Sequence, residues 1–370
     1  MSSNIIRADW FKKYLLPGFI FQSATIGGAY GTGAELKEFF MPHGPVGGLL
    51  AMVVTMVMFS LFTAILFELA RRFKAYDYQS IATVILGRFA FLYEILYVLV
   101  MILILSVIGA AAGSISLDAF GLPPIIGTVV IMVAIGYLVF YGTPTIERFF
   151  VFWSFILYGA YMVFLIWNLA QNGDAIGTAM SSGVVEGNWV YGGFKYMGYN
   201  AGLFPILLFC VYHLKTKREA LISGLFVGPI IMIPAVLFFI AMAGHYDAIM
   251  APDMKELPVT YLLAQLAGAG IFAIIFPMVL FGTFIETGTA MVHGVNERIA
   301  QVYSDKGKDM PQRLRPMIAF GILFTSIVLA DALGLVSLIG EGYGTITYGF
   351  MLVLLLPVFT IGIWKIQQKE

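Results

Sequence analysis

Residues 27–40 read Gly-Gly-Ala-Tyr-Gly-Thr-Gly-Ala-Glu-Leu-Lys-Glu-Phe-Phe, and they interrupt the first hydrophobic segment of the chain. Four of the seven positions 27–33 are glycine. Each glycine weakens a helix by roughly 1 kcal/mol relative to alanine. Such a cluster marks a place where the backbone leaves the helix. Three charged residues, Glu35, Lys37 and Glu38, follow at once. A break at membrane depth survives only where protein or a water-lined cavity satisfies the freed backbone groups. It is also the best sequence pointer to a transporter's binding site.

The surrounding composition requires a membrane. The chain is 60% hydrophobic and 11% charged, with a mean hydropathy of +0.91; soluble domains carry about 25% charge. Alternating ten-residue strands are missing from the pattern, so helices do the spanning. No cleavable signal peptide is expected, because the first apolar run is too long and lacks a cleavage site. The single cysteine, Cys210, excludes an internal disulfide and a cysteine-rich metal site. A net charge of zero gives no electrostatic reason to expect nucleic acid.

Ten segments approach the ~20 residues that a bilayer requires. They cover 14–40, 46–70, 91–116, 123–141, 146–170, 191–213, 218–244, 270–300, 314–332 and 343–366. The polar stretch 172–190 reads as a loop. The stretch 245–269 reads as a longer loop, with a short surface helix over 259–267.

With ten spans, 18 of the 21 basic residues fall on one side. They are Arg7, Lys12, Lys13, Arg71, Arg72, Lys74, Arg88, Arg148, Lys215, Lys217, Arg218, Arg298, Lys306, Lys308, Arg313, Arg315, Lys365 and Lys369. Lys37, Lys195 and Lys255 are the exceptions. The positive-inside rule then places both termini in the cytoplasm.

A second interruption falls in segment six, at Gly198-Tyr199-Asn200-Ala201-Gly202 followed by Pro205. Segments one and six open the two halves of the chain, 14–171 and 191–366. Five segments per half reverse the second half, so the repeat is inverted. Paired broken segments in inverted halves are the signature of a LeuT-type transporter. Close helix packing is the competing reason for glycine in either segment. The expected fold is all-α: one transmembrane domain of ten helices in a 5+5 inverted repeat, with helices one and six discontinuous.

The residues from Gly27 to Leu36, then Phe39-Phe40, resemble the first-helix motif of YkvI-type bacterial membrane proteins. Two further stretches are similar: Glu286–Ile299 and Gly334–Gly362. Ala34 stands where that family tends to have Gln, and Glu286 where a Thr usually precedes Thr287. The resemblance implies a transporter of the amino acid–polyamine–organocation type in a bacterial cell membrane.

The chemistry follows from the break. Carbonyls near Gly27 and Tyr30 would face the cavity and suit a coupling ion. The half-helix that starts near Gly33 presents a positive dipole end, where a solute carboxylate would meet the amides of Thr32 and Gly33. Tyr30, Tyr199, Asn200 and Phe204 would enclose the solute. Glu35 either stabilises the helix start or acts as an intramembrane carboxylate. Thr283, Glu286 and Thr287 share one helical face and supply oxygen ligands. By resemblance, the sodium site lies between that face and the first break. Glu286 leaves two readings open: a carboxylate ligand to sodium, or a proton carrier that replaces it. Lys37 and Glu341 form a gate, or are two unrelated interfacial charges. His43, His213, His245 and His293 are scattered, so no transition-metal site is expected.

The leading reading is a cation-coupled symporter, sodium or proton driven, for an amino acid or related small zwitterion. Its partners are the small solute and the lipid bilayer. No obligate protein partner and no cofactor is expected, apart from Na+ as a coupling ion. A membrane sensor that retains the fold without transport is the second reading. An enzyme is disfavoured, because no metal constellation or nucleophile motif stands out.

Overall fold

The computed structural model describes residues 9–26, 30–208, 210–252, 254, 258–268, 270–311, 313–333 and 343–368. All regular structure among them is helical. Seven helices are long and apolar enough to cross a bilayer; they match segments two, three, four, five, seven, eight and ten. The remaining three explain themselves locally. Segments one and six are each divided into shorter helices. Segment nine forms the single helix Leu314–Leu333.

Segment one begins as helix Leu16–Thr25, with Pro17 in the first turn, where its missing N–H leaves no bond unmade. Tyr30 to Gly33 form a turn that closes through the Gly33 N–H on the Tyr30 carbonyl at 2.8 Å. Gly33 has φ of +82°, and a Cβ there would come within 2.9 Å of Pro258. Both facts demand glycine. The helix restarts at Ala34–Phe39.

Segment six breaks more gently. Helix Trp189–Asn200 passes into a 3-10 turn, Ala201–Leu203, and then into the short helix Pro205–Leu208. The described backbone stays right-handed through Phe204. Gly198 and Gly202 serve close packing here. A Cβ on Gly198 would lie 2.6 Å from Met351, and one on Gly202 would lie 2.7 Å from Val100.

Segments two and seven, helices Gly44–Phe73 and Lys217–Ala243, pack almost backbone to backbone. A Cβ on Gly224 would meet the Ala64 backbone at 2.3 Å, and one on Gly228 the Met56 carbonyl at 2.2 Å. Hydroxyls cross the same seam: Thr63 donates to the Gly224 carbonyl at 2.8 Å, and Ser60 to that of Leu225 at 2.9 Å. Small residues four apart, with hydroxyls between them, hold helices together where lipid supplies no hydrophobic drive.

Two loops expected from composition are structured. Segment five continues as helix Thr143–Ser181, kinked at Asn172, so the polar loop shrinks to the residues after 181. The polar side chains bond back into the helix: Thr178 donates to the Asp174 carbonyl, and Ser181 to that of Thr178. The short helix in the 245–269 stretch is Pro258–Gln265. One face of it is exposed, at Thr260, Ala264 and Gln265, and the other packs inward. Val259, Leu262 and Leu263 are buried, and the Val259 N–H donates to the Thr32 carbonyl in the first break at 3.0 Å. A further helix, Tyr78–Leu86, stands between segments two and three, capped by Asp77.

The two ends of the bundle differ. At one end, loop residues interlock: the Tyr246 hydroxyl with the Met41 carbonyl, Val46 and Gly47 N–H with the Val184 carbonyl, and Gln171 with both polar groups of Ala267. At the other, basic residues dominate. Lys13 pairs with Glu219, Arg71 with Glu68 and Arg315 with Glu297. Arg72 donates to the carbonyls of Ile366 and Gln368.

Candidate functional site

Two polar centres flank the first break. One forms around Glu35, which follows the turn by two residues and is 3% exposed. Its carboxylate accepts the Tyr199 hydroxyl at 3.0 Å and the Tyr196 hydroxyl at 3.1 Å. The Tyr30 backbone N–H is directed at the same carboxylate. Tyr196 and Tyr199, three apart on Trp189–Asn200, reach it from one helical face. The Tyr30 ring is fully buried, with Tyr161 and Tyr196 as neighbours. Among the described residues, neither the Tyr30 nor the Tyr161 hydroxyl has a hydrogen-bond partner. Phe39 stacks on Tyr199 with centroids 5.4 Å apart, and Phe238 and Phe276 flank Tyr161. No described basic side chain forms an ion pair with Glu35.

The second centre lies on the other side of the turn, where helix Leu16–Thr25 meets segment eight, helix Phe272–Asp305. Thr287 donates its hydroxyl to the Ala24 carbonyl at 2.7 Å. Glu286 beside it is completely buried. Neither carboxylate oxygen has a well-formed hydrogen bond among the described residues, although the Ser23 hydroxyl lies near it. That hydroxyl also lies 2.8 Å from the Ser154 hydroxyl of segment five and bonds the Phe150 carbonyl at 3.2 Å. Gln22 and Thr25 are buried on the same helix with unpartnered side-chain polar atoms. Buried polar atoms without partners require an explanation, and an ion or water is the usual one.

The remaining candidates fall around these centres. Thr283 bonds within its own helix, to the Leu280 carbonyl, and its hydroxyl lies 3.5 Å from the point where a Cβ on Gly31 would stand. Thr32 gives its carbonyl to Val259, and its hydroxyl accepts the Ala34 N–H at 3.4 Å. The Gly33 N–H is taken by Tyr30 within the turn. The Asn200 amide donates to the Tyr196 carbonyl, and its Oδ1 is unpartnered. Phe204 stacks between Phe21 and Phe62, at 4.8 and 4.2 Å, so it packs segments one, two and six together. Lys37 is half-buried, one turn past Gly33. Gly27 and Glu341 lie outside the described residues. His293 continues the segment-eight face toward the basic end: its Nε2 is 3.0 Å from the Thr143 hydroxyl and 3.7 Å from Glu297.

Sequence reasoning missed Tyr161, Tyr196, Ser23 and Ser154. The spacing of Tyr196 and Tyr199 on one face was a usable signal. Tyr161 and Ser154 lie on segment five, which carries no break and nothing else to mark them.

No protein-family model matches the chain, and no curated protein matches it. Solved structures do. A substrate-bound, outward-open Na+-coupled sialic acid symporter aligns over 92% of this chain and 78% of its own, at 14% identity and a TM-score of 0.68. MhsT in complex with L-phenylalanine aligns over 92% and 86%, at 14% identity and a TM-score of 0.64. A manganese transporter of Eremococcus coleocola aligns over 94% and 78%, at 15% identity and a TM-score of 0.55. The fold is that of LeuT-type transporters. At such identities the likeness concerns architecture and leaves the substrate open.

Proposed function

We propose that the chain is a secondary active transporter. It moves a small amino-bearing solute, of the amino acid and related zwitterion class, in symport with sodium or a proton. In this reading ten spans form two inverted halves, 14–171 and 191–366, in a bacterial cell membrane with both termini cytoplasmic. Segments 1, 2, 6 and 7 rock against the rest. The observation that carries the reading is the break at 30–33, with one buried carboxylate on each side of it. Glu35 belongs to the solute centre and Glu286 to the ion centre. Intramembrane carboxylates are expensive and mark substrate or ion pathways.

The test is uptake into liposomes that contain the purified protein, driven by a sodium or a proton gradient. Ion-driven accumulation of a solute, or its exchange, supports the proposal. Absence of both across a broad solute panel sinks it. Ligand binding without flux would favour the sensor reading. Glu286→Gln should abolish coupling while leaving solute binding measurable. Thr287→Ala should weaken a sodium response and leave a proton response unchanged.

A further inference from the structure

The centre around Glu35 sets a buried carboxyl group against neutral donors, with no described basic side chain paired to it. Tyr196, Tyr199 and the Tyr30 N–H supply hydrogen bonds to the carboxylate, but all three donors are neutral. A buried carboxyl group stays ionised where a cation accompanies it and otherwise takes up a proton. The nearby lysine, Lys195, lies over the Phe39 ring, 5.3 Å from its centroid, and is not in an ion pair with Glu35. The walls are aromatic: Tyr30, Tyr161, Tyr196, Tyr199 and Phe39. Two of them, Tyr30 and Tyr161, end in buried hydroxyls that have no partner.

This is the surface an ammonium group requires. Ring faces attract a cation, phenol oxygens accept its N–H bonds, and the carboxylate balances its charge. A solute carboxylate finds the opposite. Of the two amides expected to hold it, that of Gly33 is engaged by the Tyr30 carbonyl, and the Tyr30 N–H beside them is directed at Glu35. Glu35 itself fills the anion position at the break and would repel a second carboxylate.

From this juxtaposition of a buried carboxyl group without a described cationic partner, a ring of tyrosines and two unpartnered hydroxyls, we infer that the solute is a net organic cation. Its class is a primary amine without a carboxylate, selected over the amino acid of the same skeleton. The inference rests on the transport reading above and narrows its solute class.

The experiment measures binding to the purified full-length chain by titration calorimetry and thermal stabilisation. Matched probes isolate each charge: 2-phenylethylamine, L-phenylalanine and 3-phenylpropanoate; and isoamylamine, L-leucine and 4-methylpentanoate. At least one amine should bind about tenfold or more tighter than its parent amino acid, and the carboxylates should not compete. Glu35→Gln should lose at least about tenfold in amine affinity. Tyr30→Phe and Tyr161→Phe should each lose a smaller factor while retaining the wild-type fold. If Glu35→Gln fails to fold, the wild-type ranking and the two phenylalanine variants decide. An amino acid that binds as tightly as its amine overturns the inference, as does retained amine affinity in Glu35→Gln. Equal or absent binding of all probes also overturns it and would fit a proton on Glu35 as the balancing charge. Vesicle flux separates the two claims. Carriage of amino acids with no amine preference leaves the transporter standing and removes the cation. Tight amine binding with no flux of any solute does the reverse.

Discussion

Gly33 adopts φ of +82° and leaves no room for a methyl group against Pro258. Alanine there meets a backbone cost of roughly 1–2 kcal/mol, plus the displacement of Pro258. Gly33→Ala should therefore lower the melting temperature in detergent and weaken solute binding together. Loss of neither would mean that the turn relaxes without consequence. The glycine run was legible because a left-handed residue and a close approach both exclude Cβ, and composition records that exclusion. The partners of Glu35 were not. They come from 161 and 164 residues further along the chain, and no local pattern states which hydroxyls a carboxylate will meet across the bundle.

At the scale of elements, the seam between segments two and seven depends on two glycines and two hydroxyls. Ser60→Ala and Thr63→Ala should each cost about 0.6 kcal/mol, and at most about 1.7 kcal/mol, as interhelical bonds in membranes do. Gly224→Leu should be far worse, because its side chain would enter the Ala64 backbone. Melting curves of the three variants check the order; a Gly224→Leu protein as stable as Ser60→Ala would contradict the packing. Hydropathy located most spans to within a few residues, since burial in lipid is written into long apolar runs. It failed where polarity and helicity coincide. The 172–181 stretch looked like loop because Asn172, Thr178 and Ser181 are polar, yet those side chains bond into their own helix. The 258–265 helix is superficial on one face only, and eight residues carry too little pattern to reveal what its buried face, Val259, Leu262 and Leu263, packs against.

For the whole molecule, the basic residues collect at one end and the interlocked loops at the other. The proposed orientation rests on the positive-inside rule and is open to direct labelling. In a Cys210→Ala background, a cysteine at the exposed Glu186 should react with an impermeant maleimide in intact cells. One at the exposed Lys308 should react only after permeabilisation. The reverse pattern would invert the protein, and reaction of both in intact cells would mean an even number of spans between them. The ends also differ in how they close. Charged pairs and carbonyl contacts fasten the basic end, whereas backbone and amide bonds between loops fasten the other.

One of those loop bonds has a consequence for time. Val259 N–H reaches the Thr32 carbonyl, inside the same turn that aims Tyr30 at Glu35. In the proposed transporter the loop cannot lift without releasing the turn, and this bond would delay solute escape. Val259→Pro deletes the N–H at the second residue of its helix, where proline is tolerated. One net hydrogen bond of about 1 kcal/mol corresponds to about fivefold in rate. Bound solute should wash out of Val259→Pro about that much faster, with little change in melting temperature. An unchanged washout rate would move the delay elsewhere. The loop would then be a cover without a clock.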